Sequence, residues 1–155
     1  MIPSRYRFSR ASRLLKPSEF QTVFDARKAC RGQWLTVHRY QPGSAPVCPA
    51  DASLALIDPD ITSRRLGLIV AKRLVAASAR RNMIRRIVRE HFRTTPAAFP
   101  AGDWIVRLHE SPFRIKKGEP SRTRLQIVTG LRSDLTQILN RVSGQIRREN
   151  QALTQ

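Results

Sequence analysis

The stretch from Arg65 to Arg93, RLGLIVAKRLVAASARRNMIRRIVREHFR, leaves few folds open. It begins with apolar side chains at alternate positions, Leu66, Leu68 and Val70, which predict a strand. A turn follows at Lys72 and Arg73, and then a helix from about Ser78 that carries six arginines. At 100° per residue, Ile84, Ile87, Val88, His91 and Phe92 share one side of that helix, while Asn82, Arg85, Arg86, Arg89 and Arg93 share the other. One face must lie on a core. Arg81, Arg85, Arg89 and Arg93 form an i, i+4 ladder with only Glu90 nearby, and each like-charged neighbour costs a few tenths of a kcal/mol. A solvated helix interleaves glutamates with its arginines, whereas this ladder calls for a polyanion against it.

Composition points the same way. The chain of 155 residues has 29 lysines and arginines against 11 acids, a formal charge of +18, and a pI near 11.7. That is the electrostatic footprint of a nucleic-acid binder. A membrane surface would also attract such charge, but the sequence has neither a long apolar run nor a signal-like apolar region. The expectation is a cytoplasmic protein with no membrane partner. The length suits one domain. Cys30 and Cys48 lack histidine partners at zinc-site spacing and read as ordinary free thiols.

Residues 1–17 hold Arg5, Arg7, Arg10, Arg13 and Lys16 and no acid, which predicts a basic arm that is mobile without RNA. Ser18 is the expected cap of a first helix, with Gln21 as its capping-box partner and Phe20, Val23 and Phe24 on one face. Gln33 to Tyr40 alternates as a strand, with Leu35, Val37 and Arg39 on one side and Trp34, Thr36, His38 and Tyr40 on the other. Prolines between Gln41 and Pro49 predict a hairpin loop, and Ala52 to Ile57 a second strand. Past the arginine helix, Asp103 to Leu108 reads as a fourth strand, giving a β-α-β unit. A basic loop from Arg114 to Arg124 leads into a long amphipathic helix marked by Leu125, Val128, Leu131, Leu135, Ile138, Leu139, Val142 and Ile146, expected to fray after Gly144. The organisation expected is an arm (1–17), one RNA-binding domain (18–143) and a tail (144–155).

With these elements in order, the chain resembles the protein component of bacterial ribonuclease P over about residues 13–142. The most specific part is a signature of the form R-N-R-x-(K/R)-R-x-x-R, here Arg81-Asn82-Met83-Ile84-Arg85-Arg86-Ile87-Val88-Arg89. Gly67 to Arg73 is similar to the family's preceding strand, and Arg13 to Phe24 to its first helix. Met83 stands where the family usually has the second arginine, and Arg80 could take over the lost contact. The resemblance implies an α+β two-layer sandwich, a four-stranded sheet with three helices and a left-handed β-α-β crossover, which the general right-handed rule does not predict. That fold is shared with a domain of small-subunit ribosomal proteins and of elongation factor G.

The resemblance also implies a function. The signature helix would face the catalytic RNA subunit through Lys72, Arg73, Arg85, Arg86, Arg89 and Arg93. A cleft between the first helix and the sheet would hold the single-stranded 5′ leader of precursor tRNA, with Phe20 and Phe24 lining it and Arg81 and Asn82 reaching a phosphate. Val37 falls near where relatives often place an aromatic. Trp34 and Trp104 are expected in the core. No obligate protein partner is expected, and Mg2+ would be held by the RNA and substrate.

A protein-only nuclease is disfavoured by the residues themselves. The acids are scattered singly, Asp58 and Asp60 flank a proline turn, and His38, His91 and His109 lie on different elements, so neither clustered carboxylates nor a histidine pair is in view. A ribosomal or other structural-RNA-binding protein would account equally well for the charge, but gives no reason for a leader cleft.

Overall fold

The computed structural model describes residues 8–41 and 64–154. Helix α1 (Pro17–Asp25) is followed by strands β1 (Ala29–Arg31), β2 (Leu35–Tyr40) and β3 (Arg64–Ile69), helix α2 (Ser78–Thr94), strand β4 (Gly102–Leu108) and helix α3 (Arg124–Leu153). The sheet runs β1-β2-β4-β3, antiparallel except for the β3–β4 pair, which is parallel and joined through α2. This is the expected α+β architecture of four strands and three helices. Its strands differ from the expected set: β1 was not foreseen, while the predicted strand 52–57 and the hairpin loop from residue 42 lie outside the described residues.

Strand alternation sorts the side chains into two layers. Leu35, Val37, Leu66, Trp104, Val106 and Leu108 face the main core, where Ile84, Val88 and Phe92 of α2 meet Leu131, Leu135 and Ile138 of α3. On the other face Ile105 packs with Leu14 and Val23 under α1, flanked by Phe20, Phe24, Tyr40 and Ile69. Trp34 and Trp104 are buried, as expected, and Cys30 is a buried free thiol.

Asp134, on the buried stripe of α3, organises the β1–β2 turn. Its carboxylate accepts N–H bonds from Gln33 (2.7 Å), Trp34 (2.9 Å) and Leu35 (3.0 Å), so a buried charge is met by three backbone donors. The approach requires Gly32, because a Cβ there would stand 2.1 Å from Asp134 Oδ1.

Three local expectations are corrected. The cap of α1 is Lys16, not Ser18, and Glu19 reaches back to accept from the N–H groups of Leu15 (2.8 Å) and Lys16 (2.9 Å). Pro17 decides this: it has no N–H to leave unsatisfied and its fixed φ suits the first helical position, so the helix opens there. The last helix does not fray at Gly144 but runs to Leu153, starting from the Thr123–Gln126 capping box and held near its end by Glu149, which pairs with Lys28 Nζ (3.1 Å) and Arg39 Nη2 (2.8 Å). Leu125, counted on its apolar stripe, is 75% exposed.

The third correction concerns the basic arm. Its described part is fixed to the sheet: Leu66 N–H donates to Ser12 O (2.8 Å), Leu14 N–H donates to Leu66 O (3.1 Å), and Phe8 meets Phe92 edge-on with ring centres 6.0 Å apart. The free backbone groups on the outer side of β3 supply partners that composition cannot reveal.

Candidate nucleic-acid interface

Helix α2 presents two unlike sides. Ile84, Ile87, Val88 and Phe92 are buried, as the helical wheel predicts, and Met83 is half-buried against the same core. On the outer side Arg85 Nη1 donates to Asn82 Oδ1 (3.2 Å), and Arg93 pairs with Glu90. Among the described residues Arg85, Arg86 and Arg89 have no salt bridge. Burial and the cations of Arg13 and Arg85 hold the Arg89 guanidinium below its ordinary pKa. Lys72 and Arg73 are exposed in the turn just ahead of α2, so the six residues expected at the catalytic RNA form one turn-helix element.

Arg81 is partly committed elsewhere. Its Nη1 donates to the carbonyls of Val75 (2.9 Å) and Ala76, closing the loop before the helix, whose cap residue Ala77 has no side chain to do so.

The α1 face of the sheet is built differently. Phe20 lies over Gly67, where a Cβ would come within 2.6 Å of its ring, so the glycine lets the aromatic sit flat on the strand. Phe24 meets His38 edge-on at 4.8 Å. Arg65 ties the layer together, with Nε and Nη2 on Asp103 (2.8 and 2.7 Å) and Nη1 on Glu19 (2.6 Å). The hydrogen bond to Asp103 raises its pKa above the usual arginine value despite burial, and the Glu19 ion pair adds to this. Burial pushes Glu19 up, but the bonds from Lys16, Leu15 and Arg65 outweigh it and hold the carboxyl below the ordinary glutamate range. Val37 faces the main core instead, so the strand side chains on the α1 side are Thr36, His38 and Tyr40. The alternation of β2 fixes this, since neighbours point to opposite faces.

The four residues expected at the leader therefore divide between two elements. Phe20 and Phe24 share the α1 layer, whereas Arg81 and Asn82 open α2, whose apolar side joins the core on the opposite face. The histidines have separate surroundings: His38 against Phe24, His91 against Phe99, and His109 between Thr36 Oγ1 (3.0 Å) and Arg31 Nε (3.2 Å). Among the described residues no group of three or more His, Cys, Asp or Glu could hold a metal ion, and no helix is long and apolar enough to cross a membrane.

Residues 8–127 match the family model for ribonuclease P. The chain belongs to the ribonuclease P protein family. It is 36% identical over 121 residues to the ribonuclease P protein component of Azoarcus sp. strain BH72, covering 78% of this chain and 87% of that one. The component from Burkholderia mallei is 31% identical over 145 residues, 94% of this chain and 92% of its own. Among solved structures, the Staphylococcus aureus RNase P protein superposes with a TM-score of 0.58 at 20% identity, over 84% of this chain and 94% of that one. The Thermotoga maritima RNase P protein gives 0.52 at 22% identity, over 83% and 96%. These two likenesses carry the fold. Membership places the chain among the RNA-binding proteins of tRNA processing.

Sequence reasoning passed over three participants in this surface. Arg13, read as part of a mobile arm, approaches Arg89 because residues 12–14 pair with β3. Arg65, inside the basic stretch, is a structural tie. Arg80 lies with its guanidinium 4.7 Å over the Phe113 ring, a contact between distant loops that only the fold brings about.

Proposed function

We propose that this chain is the non-catalytic protein subunit of a ribonuclease P holoenzyme, in which RNA hydrolyses the phosphodiester bond that releases the 5′ leader of precursor tRNA. The observation that carries the reading is the outer face of α2, where Arg85, Arg86 and Arg89 of the family signature have no salt bridge among the described residues. An RNA backbone placed there would neutralise the guanidiniums and release condensed counterions, and the protein in turn would relieve phosphate repulsion between the catalytic RNA and its substrate.

In this reading Lys72, Arg73, Arg85, Arg86, Arg89 and Arg93 hold the catalytic RNA. The leader lies along the α1 face, where Phe20 and Phe24 offer sequence-tolerant apolar and stacking contact to bases. Asn82 and the free part of the Arg81 guanidinium take a leader phosphate at the start of α2. Magnesium would be held by RNA and substrate phosphates, whose hard oxygens suit that ion, and the site of action would be the cytoplasm.

The test is cleavage of a 5′-extended precursor tRNA at near-physiological magnesium with protein alone, with a bacterial ribonuclease P RNA alone, and with both. Cleavage at the mature 5′ end in the combined reaction alone is the expected result. A protein that adds nothing to the RNA's activity would sink the assignment and favour a structural-RNA partner such as ribosomal RNA. Equal affinity of the complex for precursor and mature tRNA would remove the leader role of the α1 face.

A further inference from the structure

At the carboxyl ends of the parallel strands β3 and β4 the structure holds an open pocket of about 570 Å³. One wall is the turn after β3 and the start of α2, with Arg73 and Arg80; the other is the segment after β4, with His109, Glu110, Phe113 and Arg114. The carboxyl ends of adjacent parallel strands are where sheets of this kind leave room for a ligand, because the connections diverge there. The size lies in the range of small-ligand sites.

The lining has a definite chemistry. Arg80 is exposed and lies flat against Phe113, so its guanidinium forms a cationic plane backed by an aromatic ring. Among the described residues Arg73, Arg80 and Arg114 make no ion pair, and Glu110, the one acid in the lining, has Lys116 at 3.8 Å. His109 has both ring nitrogens occupied, by Thr36 and Arg31, and burial followed by the Arg31 cation keeps it below the ordinary histidine pKa. It therefore serves as a fixed neutral wall. A flat cationic surface between two further arginines suits a base and its phosphate together: the base stacks on the guanidinium, and the arginine forks take the phosphate oxygens.

We propose that this pocket holds a single unpaired ribonucleotide of the bound RNA, with its base on the Arg80–Phe113 platform and its phosphate between Arg73 and Arg114. The proposal rests on the ribonuclease P reading but concerns a place apart from both the α2 comb and the Phe20–Phe24 layer. An acidic peptide would satisfy the arginines but has no use for the stacking plane. The nucleotide can come from the catalytic RNA or from the precursor, and the chemistry is the same for both.

Zero-length ultraviolet cross-linking of the full chain in the holoenzyme, followed by peptide mapping, tests it. In one arm only the catalytic RNA is isotope-labelled, in the other only the precursor tRNA, so the labelled adduct names the source. Wild-type protein is expected to give an adduct within residues 109–114 from one arm, and Arg80→Gln with Arg114→Gln should lower its yield about fivefold or more, the cost of a lost stacking contact. Adducts on α2 and the thermal midpoint should stay unchanged, since both arginines are exposed. Adducts on α2 with none at 109–114, or pocket adducts indifferent to the double variant, would overturn the pocket alone. A wild-type chain that forms no complex with the RNA would overturn the ribonuclease P reading and the pocket with it.

Discussion

Arg65 and Arg89 stand in one continuous basic stretch, yet the fold treats them in opposite ways. On the α1 face Arg65 meets two carboxylates through three hydrogen bonds, and its pKa rises. On the outer face of α2 Arg89 meets Arg13 and Arg85, and its pKa falls. The first region is electrostatically complete within the chain, so its arginine is part of the scaffold. The second is complete only with an anion supplied from outside, and the chain stores that incompleteness on a helix whose other side is fully packed. Charge counts cannot separate the two roles, but partners can.

This contrast can be broken at several points. The largest effect is expected where a matched charge is most deeply buried. Asp134→Ala strands three backbone N–H groups and should lower stability by about 3 kcal/mol or more, read from urea unfolding. A loss under 1 kcal/mol would mean that the β1–β2 turn does not depend on it. Next comes Arg65→Ala, which leaves Glu19 and Asp103 unpaired. Because this site is about a third exposed, solvent screening limits the expected loss to roughly 2 kcal/mol. RNA affinity of the folded fraction should hardly change; a large drop in affinity with an unchanged melting temperature would place Arg65 among the RNA contacts.

Arg85→Ala with Arg89→Ala should show the reverse pattern. Removing like charges from α2 should leave stability unchanged or raise it by a few tenths of a kcal/mol. Affinity for the catalytic RNA should fall, and the slope of log K against log salt should flatten by about two, one for each phosphate contact. An unaltered slope would remove the comb from the interface. The smallest effect is one of pH. His38, His91 and His109 are all held below the ordinary value of 6.5, in each case by burial first. Protons therefore bind the unfolded chain more tightly, so stability is full above about pH 6.5 and declines as pH falls through the lowered folded values. Urea midpoints compared at pH 7.5 and 5.5 should show the decline, and identical midpoints would refute it.

What could be read from the residues was whatever one element's periodicity carries. The split of α2 into Ile84, Ile87, Val88 and Phe92 against its arginines follows from 3.6-residue spacing, and the strand-helix-strand unit follows from apolar alternation on either side of it. What escaped was settled between elements. Strand β1 is three residues long, too short for any alternation, and exists because Asp134 and Gly32 shape the turn that returns it along β2. Asp134 did leave a signal, a lone acid between Leu131 and Ile138 on an apolar stripe, where a charge must have partners. At α1 two capping boxes overlapped, and Pro17 chose between them. The Arg80–Phe113 platform joins residues from two separate loops, and no local pattern encodes it.

The bridge at Arg13 has a meaning for the isolated chain as well. A four-stranded sheet exposes two borders, each a template on which a foreign strand can grow. Here β3 gives its outer N–H and C=O groups at Leu66 to the chain's own residues 12 and 14, and the opposite border is only the three residues of β1. The segment that brings a cation beside the comb thus also takes up one of the two borders where this sheet could be extended by another molecule.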